Sequence, residues 1–286
     1  MAHDAVLDVG ALSAVTDAAR VAALRLATRG QVYDLGVELS SRIPMISPAV
    51  FLAFSMMPYR TPEDLRRDGG MDSVTFHVEA IQGALHLSSH IDAFVHCQHN
   101  GRIYGGHSMA DARRDSGWTK HGAETIPPIV TRGVVIDVVR ESGMEVLPVG
   151  YSITRDELAR AAGRQGVTVT PGTAVLVRTG KAQHFIANNE EFNKGCPGLA
   201  LDAALWLHEQ GMVAFGIDAT SADPQPVPDW TRTVHVALLV ERGVHILENL
   251  YLEDLARDGV AEFLFICLPL KLRGATGSWV RPIAVV

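Results

Sequence analysis

Three stretches of this chain are almost uninterruptedly apolar and short: RGVVIDVV at 132–139, TAVLVRT at 173–179 and MVAFGID at 212–218. Their length and β-branched content predict strands covered on both faces. MDSVTFHVEA at 71–80 alternates as a half-buried strand does, and VYDLGV at 32–37 predicts a short one. Four further runs, VHVALLV at 234–240, GVHIL at 243–247, FLFICLP at 263–269 and WVRPIAVV at 279–286, read as strands of the C-terminal third.

Helical signals fall between them. Thr154 and Glu157 form a capping-box pair ahead of ELARAAGRQ, and ALDAALWLHEQ at 200–210 is bounded by Pro197 and Gly211. Residues 11–29, ALSAVTDAARVAALRLATR, predict an alanine-rich amphipathic helix ended by Gly30. The pattern describes an α/β protein with mixed sheet and flanking helices. Residues 1–30 form an N-terminal helical extension, an appendage or a dimer contact, ahead of one domain over 31–286. No linker, repeat or low-complexity segment divides that domain. Residues 31–60 continue from the first strand as a loop rich in Pro, Ser, Met and Phe, suited to a substrate lid.

Composition narrows the function classes. With 286 residues, 47% apolar and 20% charged, the chain can bury a large core without disulfides. A net charge of -7 argues against nucleic acid or an anionic membrane as partner, since both demand a basic surface. Cys97, Cys196 and Cys267 are too few for a disulfide scaffold, so a reducing cytoplasm is expected. No apolar stretch approaches a membrane span, and the start MAHDAVLDVG lacks a signal peptide's basic end.

Candidate chemistry concentrates in LHLSSHIDAFVHC at 85–97, which carries His86, His90, Asp92 and His96. Any one of these alone would be read as an ordinary hydrogen-bonded residue; together they read as a metal site with a base beside it, leaving a position open for water. A straight strand rises roughly 3.3 Å per residue and would separate His86 from Asp92 by about 20 Å, too far for one ion. The chain must bend. Ser88 and Ser89 are good N-caps, so the expectation is a strand end, a turn, then a helix with His90 and Asp92 in its first turn and Asp92 and His96 on one face. His77, His99 and His107 are read as structural, and the scattered cysteines, with no CxxC pair, argue against a zinc finger. His235, Glu248 and Asp218 stand at the ends of apolar runs, where a strand pair could bring the first two to one edge.

A divalent ion would lower the pKa of bound water from about 15.7 towards 7 and polarise a carbonyl, which points to hydrolysis of an amide, lactam, lactone or ester. His96, with a reference pKa near about 6.5, suits proton transfer to the leaving atom. A serine hydrolase fits poorly, because no GxSxG elbow exists. A metal-binding interaction protein would have no need of His96 beyond a closed ligand set. A cyclase or dehydratase, with the metal stabilising an enolate, would use the same site.

The run His86-Leu-Ser-Ser-His90-Ile-Asp92-Ala-Phe-Val-His96 resembles the HxGTHxDxPxH signature of the cyclase family of metal-dependent hydrolases, which includes kynurenine formamidase and isatin hydrolase. VYDLGVELSSRIP, PGTAVLVRTGK, CPGLALDAALWLHEQG, GIDATSADP, VHVALLVERGVHILENL and LPLKLRGATGSWVRPIAVV also resemble family blocks, in the same order. The resemblance covers residues 31 to the C-terminus. It implies a swivelling β/β/α-type single domain, metal binding by His86, His90 and Asp92, and His96 as acid/base. His235 and Glu248 would complete the site, as ligands of a second metal or as proton-handling neighbours. It also implies a homo-oligomer (dimer or tetramer) and a small substrate such as an N-formyl aryl amine or fused lactam; two histidines and an aspartate with water suit zinc or manganese without separating them. GT is replaced by Ser88-Ser89 and the proline is missing within Ala93-Phe94-Val95, departures that bear on pocket shape. Phe51, Phe54, Met56, Met57, Tyr59, Phe94, Trp118 and Trp230 are the candidates for a surface that takes a flat ring.

Overall fold

Each apolar run of the central chain becomes an inner strand of one nine-stranded sheet in the computed structural model, which describes residues 9–44, 52–60, 62–67, 69 and 78–286. In chain order the strands of this sheet are β1 (Val32–Asp34), β2 (His90–Asp92), β3 (Ile129–Asp137), β4 (Thr173–Arg178), β5 (Met212–Ile217), β6 (His245–Glu248), β7 (Glu262–Cys267), β8 (Gly277–Trp279) and β9 (Ile283–Val285). Across the sheet they run β1-β9-β7-β3-β4-β5-β6-β2-β8. Strands β3 to β6 are mutually parallel, and the outer pairings are antiparallel.

Parallel neighbours need long crossovers, and helices supply them: Arg155–Gln165 between β3 and β4, Leu201–Glu209 between β4 and β5, and a wide-turn helix, Val236–Arg242, between β5 and β6. The expected strand at 234–240 is therefore a helix. A short, wholly apolar run does not tell a buried strand from a buried helix. Here the parallel pairing of β5 with β6 requires the crossover, and Gly243, at φ +60, ends it.

The sheet buries both faces. Val134 and Ile136 enter one apolar cluster while Val135 enters the other; Val175 and Val177 oppose Ala174 and Leu176 in the same way. This alternation explains why the middles of these strands, 133–136 and 174–177, lack polar positions, each fully covered aliphatic side chain contributing about 1.5–3 kcal/mol. Backbones approach closely where glycine allows: a Cβ on Gly216 would lie 2.4 Å from Leu176 and 2.7 Å from Leu250.

The N-terminal helix is shorter than expected. A 3-10 turn, Gly10–Ala14, precedes a helix over Asp17–Leu24 only, because Thr16 leaves the helical path to cap it, its Oγ1 accepting from Ala19 N. Leu12 and Val15 are buried in the sheet's own apolar cluster, and Ala11 N donates to Gly243 O. Part of the 31–60 loop, Ser55–Arg60, pairs with Val78–Gln82 as a hairpin. The rest of the strand expected at 71–80 lies outside the described residues. No helix among the described residues is long and apolar enough to cross a membrane.

Candidate metal centre

The cluster forms beyond the carboxyl ends of β5 and β6, the edge of an α/β sheet where ligand sites gather. Strand β2 runs antiparallel to β6 in a register that sets His90 opposite Glu248. Asp92, two residues on, shares the face of His90 by strand periodicity. Residues 90–92 are thus strand, not the first turn of a helix, and the helix expected from Ser88 does not form. The bend itself is present. Ser88 adopts φ +58, and its Oγ donates to Val37 O while Ser89 Oγ donates to Asn249 O, so both hydroxyls tie loops together instead of capping. After Asp92 a single helical turn, Phe94–His96, folds back and stacks the His96 ring on His86 at 3.9 Å. His235 stands at the start of the β5–β6 crossover helix, so it meets Glu248 without the strand pair that the run 234–240 suggested.

The ring nitrogens are sorted by their partners. His90 Nδ1 donates to Ser88 O at 2.9 Å, His86 Nε2 pairs with Thr276 Oγ1 at 2.9 Å, and His235 Nδ1 donates to Asp223 Oδ2 at 2.6 Å. The opposite nitrogens converge: His86 Nδ1 is 2.9 Å and His90 Nε2 3.6 Å from Asp92 Oδ1, and His235 Nε2 is 3.6 Å from Asp92 Oδ2. Glu248 lies 3.4 Å from His90 Nε2 and 3.3 Å from His235 Nε2. His86 Nδ1, His90 Nε2 and both Asp92 oxygens are buried without a partner of hydrogen-bonding geometry. Buried polar atoms left bare are costly, and these are imidazole and carboxylate donors aimed at one another. They fit a divalent cation. His86, Asp92 and His96 form one ligand-sized group and His90, Asp92 and Glu248 another, so Asp92 faces both, and His96 lies within ligand reach as well as beside it.

Charge follows from this packing. Burial works to raise the Asp92 carboxyl, but His96, His86 and His90 hold it far below the usual carboxylate range. Glu248 is likewise pulled down to about 2 against burial, by His235 and His90. Those two imidazoles shift up despite burial: His235 through Asp223 and Glu248, His90 through Glu248 and Asp92. His96 goes the other way, to about 4, because burial and the neighbouring His86 and His235 outweigh the pull of Asp92.

A cavity of about 440 Å³ opens against the cluster, with His86, His96, His235 and Glu248 in its wall. Of the expected positions among the described residues, only Trp230 lines it. Phe54 packs edge-on against Trp279, Phe94 stacks on His245 in the core, and Trp118 packs against the other core cluster. Met56 and Met57 are exposed on the hairpin. Phe51 and the side chain of Tyr59 lie outside the described residues. Phe185, Phe192 and Val227 supply the apolar wall instead.

Asp218 does not join the site: its buried carboxyl accepts from Thr179 N, Thr179 Oγ1 and Gly180 N, and burial pushes it up to about 7. Neither His99 nor His107 enters a ligand group among the described residues, and His77 is outside them. Sequence reasoning missed Asp223, Thr276 and Asn249, whose Nδ2 donates to Ser88 O. Only Asp223 left a signal, as an acidic residue in the loop after a parallel strand's carboxyl end.

The Cyclase family model matches residues 33–224. The chain is 32% identical over 212 residues to the kynurenine formamidase of Bacillus thuringiensis subsp. konkukian (strain 97-27), covering 74% of this chain and 81% of that protein. It spans less than half the length of the Bacillus cereus kynurenine formamidases it matches, 42% and 47%. Among solved structures, a crystal structure of a novel cyclase superposes with a TM-score of 0.87 at 31% identity, covering 98% of this chain and 96% of that one. Isatin hydrolase A from Ralstonia solanacearum shares the fold at a TM-score of 0.68 and 21% identity, over 95% and 98% of the two chains. In fold and in sequence, this chain belongs to the cyclase family.

Proposed function

We propose that the protein is a metal-dependent hydrolase that cleaves the C–N bond of a small aromatic formamide or lactam. The observation that carries this reading is the convergence of four buried atoms without a hydrogen-bond partner, on His86, His90 and Asp92, of which His86 lines a cavity with an apolar side. Kynurenine formamidase and isatin hydrolase, the names borne by its relatives, favour C–N over C–O cleavage.

His86, His90 and Asp92 would hold the cation, with Glu248 and His235 completing its surroundings. The donor set suits zinc or manganese. When bound, such an ion acts as a Lewis acid that lowers the pKa of water from about 15.7 towards 7 and polarises a carbonyl. The protein's own groups do the rest. His96, kept neutral by its low pKa, accepts the proton of the attacking water and returns it to the leaving nitrogen. Its stacking on His86 fixes the ring's plane. Phe185, Phe192, Val227 and Trp230 take the flat ring and exclude bulk water from the reacting bond.

The test is a panel of N-formylaniline, N-formylkynurenine, isatin and matched aryl lactones, assayed after chelation and after return of Mn²⁺ or Zn²⁺. Metal-restored turnover of the amides and lactam is expected. Turnover that survives chelation, or that is confined to the lactones, contradicts the reading.

A further inference from the structure

Asp223 lies outside the ligand groups, yet its carboxylate is committed to two successive residues, Val234 and His235. It is 5% exposed, within the loop that joins β5 to the crossover helix. Oδ1 accepts from Val234 N at 2.5 Å, and Oδ2 accepts from His235 N at 3.2 Å and from His235 Nδ1 at 2.6 Å. One carboxylate thus grips both the backbone at the start of the crossover helix and the ring that projects from it. The same loop reaches the second acid of the cluster, since Ala222 N donates to Glu248 Oε1 at 2.7 Å. The loop in turn is pinned by Ser221 Oγ, which accepts from Asp223 N at 3.1 Å.

The consequence is chemical. A histidine that donates from Nδ1 to a carboxylate presents Nε2 as the basic nitrogen, with the ring's rotation fixed and its basicity raised. His235 Nε2 is the atom that faces Asp92 and Glu248. We infer that Asp223 is a positioning residue for the cation, acting through His235: it selects the tautomer and orientation in which His235 is a ligand. This rests on the metal reading proposed above, and it makes His235 a ligand and not a proton-handling neighbour.

Co²⁺ is the probe, titrated into chelator-treated full-length protein and followed by its visible absorption. Asp223→Ala should weaken Co²⁺ binding about 10–100-fold and alter the absorption band, and Asp223→Asn, which keeps an acceptor for Nδ1–H but not the charge, should fall between it and wild type. Because Asp223 also holds Val234, the titration is repeated in a His235→Gln background. If Asp223 acts through His235, Asp223→Asn costs no further affinity there; a role confined to holding the fold costs the same in both backgrounds. Unchanged affinity in the wild-type background, or equal losses in the two, overturns the inference while leaving the metal reading intact. Failure of the wild-type chain to bind Co²⁺ at all overturns the metal reading itself.

Discussion

At the residue scale, the proposed function separates side chains that hold the cation from one, His96, that moves a proton. His96→Ala should keep its metal while kcat falls about 10²–10⁴-fold, the usual worth of a positioned acid/base group. Metal content together with kcat checks this, and loss of the metal would make His96 a ligand instead, a role its position also allows. A second residue-scale prediction concerns His245, which is buried, stacks on Phe94 at 4.0 Å and donates from Nδ1 to Asp92 O. Burial holds it at about 4. Its folded pKa lies below the unfolded value of about 6.5, so the unfolded chain takes up its proton first, and stability is lost as pH falls from about 6.5 to 4. The contribution at stake is about 3 kcal/mol. Urea unfolding of His245→Asn across that window should show its deficit against wild type shrinking as pH falls; a constant deficit contradicts the assignment.

Elements show what the sequence could and could not announce. The parallel strands were legible because both faces are buried, leaving a continuous apolar signal at 173–178 and 212–217. The Arg155–Gln165 helix was legible through its capping box: Thr154 N donates to Glu157 Oε2 at 2.8 Å, and Glu157 N donates to Thr154 Oγ1. Thr154→Ala should cost about 1 kcal/mol in urea unfolding without changing turnover. Residues 234–240 misled because their apolar content fits either state, and only the parallel β5–β6 pairing, a long-range fact, decides for helix. Residues 88–96 misled for another reason. Serine caps helices well, but here both hydroxyls are taken by partners 51 and 160 residues distant in sequence, Val37 and Asn249. The cluster of histidines was visible as chemistry, whereas the strand register that sets His90 opposite Glu248 was not.

For the molecule as a whole, the sheet brings segments from 86–96, 223–248 and 276 to one edge, so the site exists only in the folded chain. Without a cation, the carboxylates of Asp92, Glu248 and Asp223 shift His90 and His235 towards their protonated forms. Loading must then expel protons, so affinity should rise with pH, and calorimetry in buffers of different ionisation enthalpy should register proton release. No release, or tighter binding in acid, would contradict the charge state described here. The central claim is tested most directly by elemental analysis of the purified wild-type protein beside Asp92→Ala, since Asp92 faces both ligand groups. The account predicts stoichiometric zinc or manganese in the first and its loss in the second; equal metal content in the two, or none in either after dialysis against the salts, would contradict it.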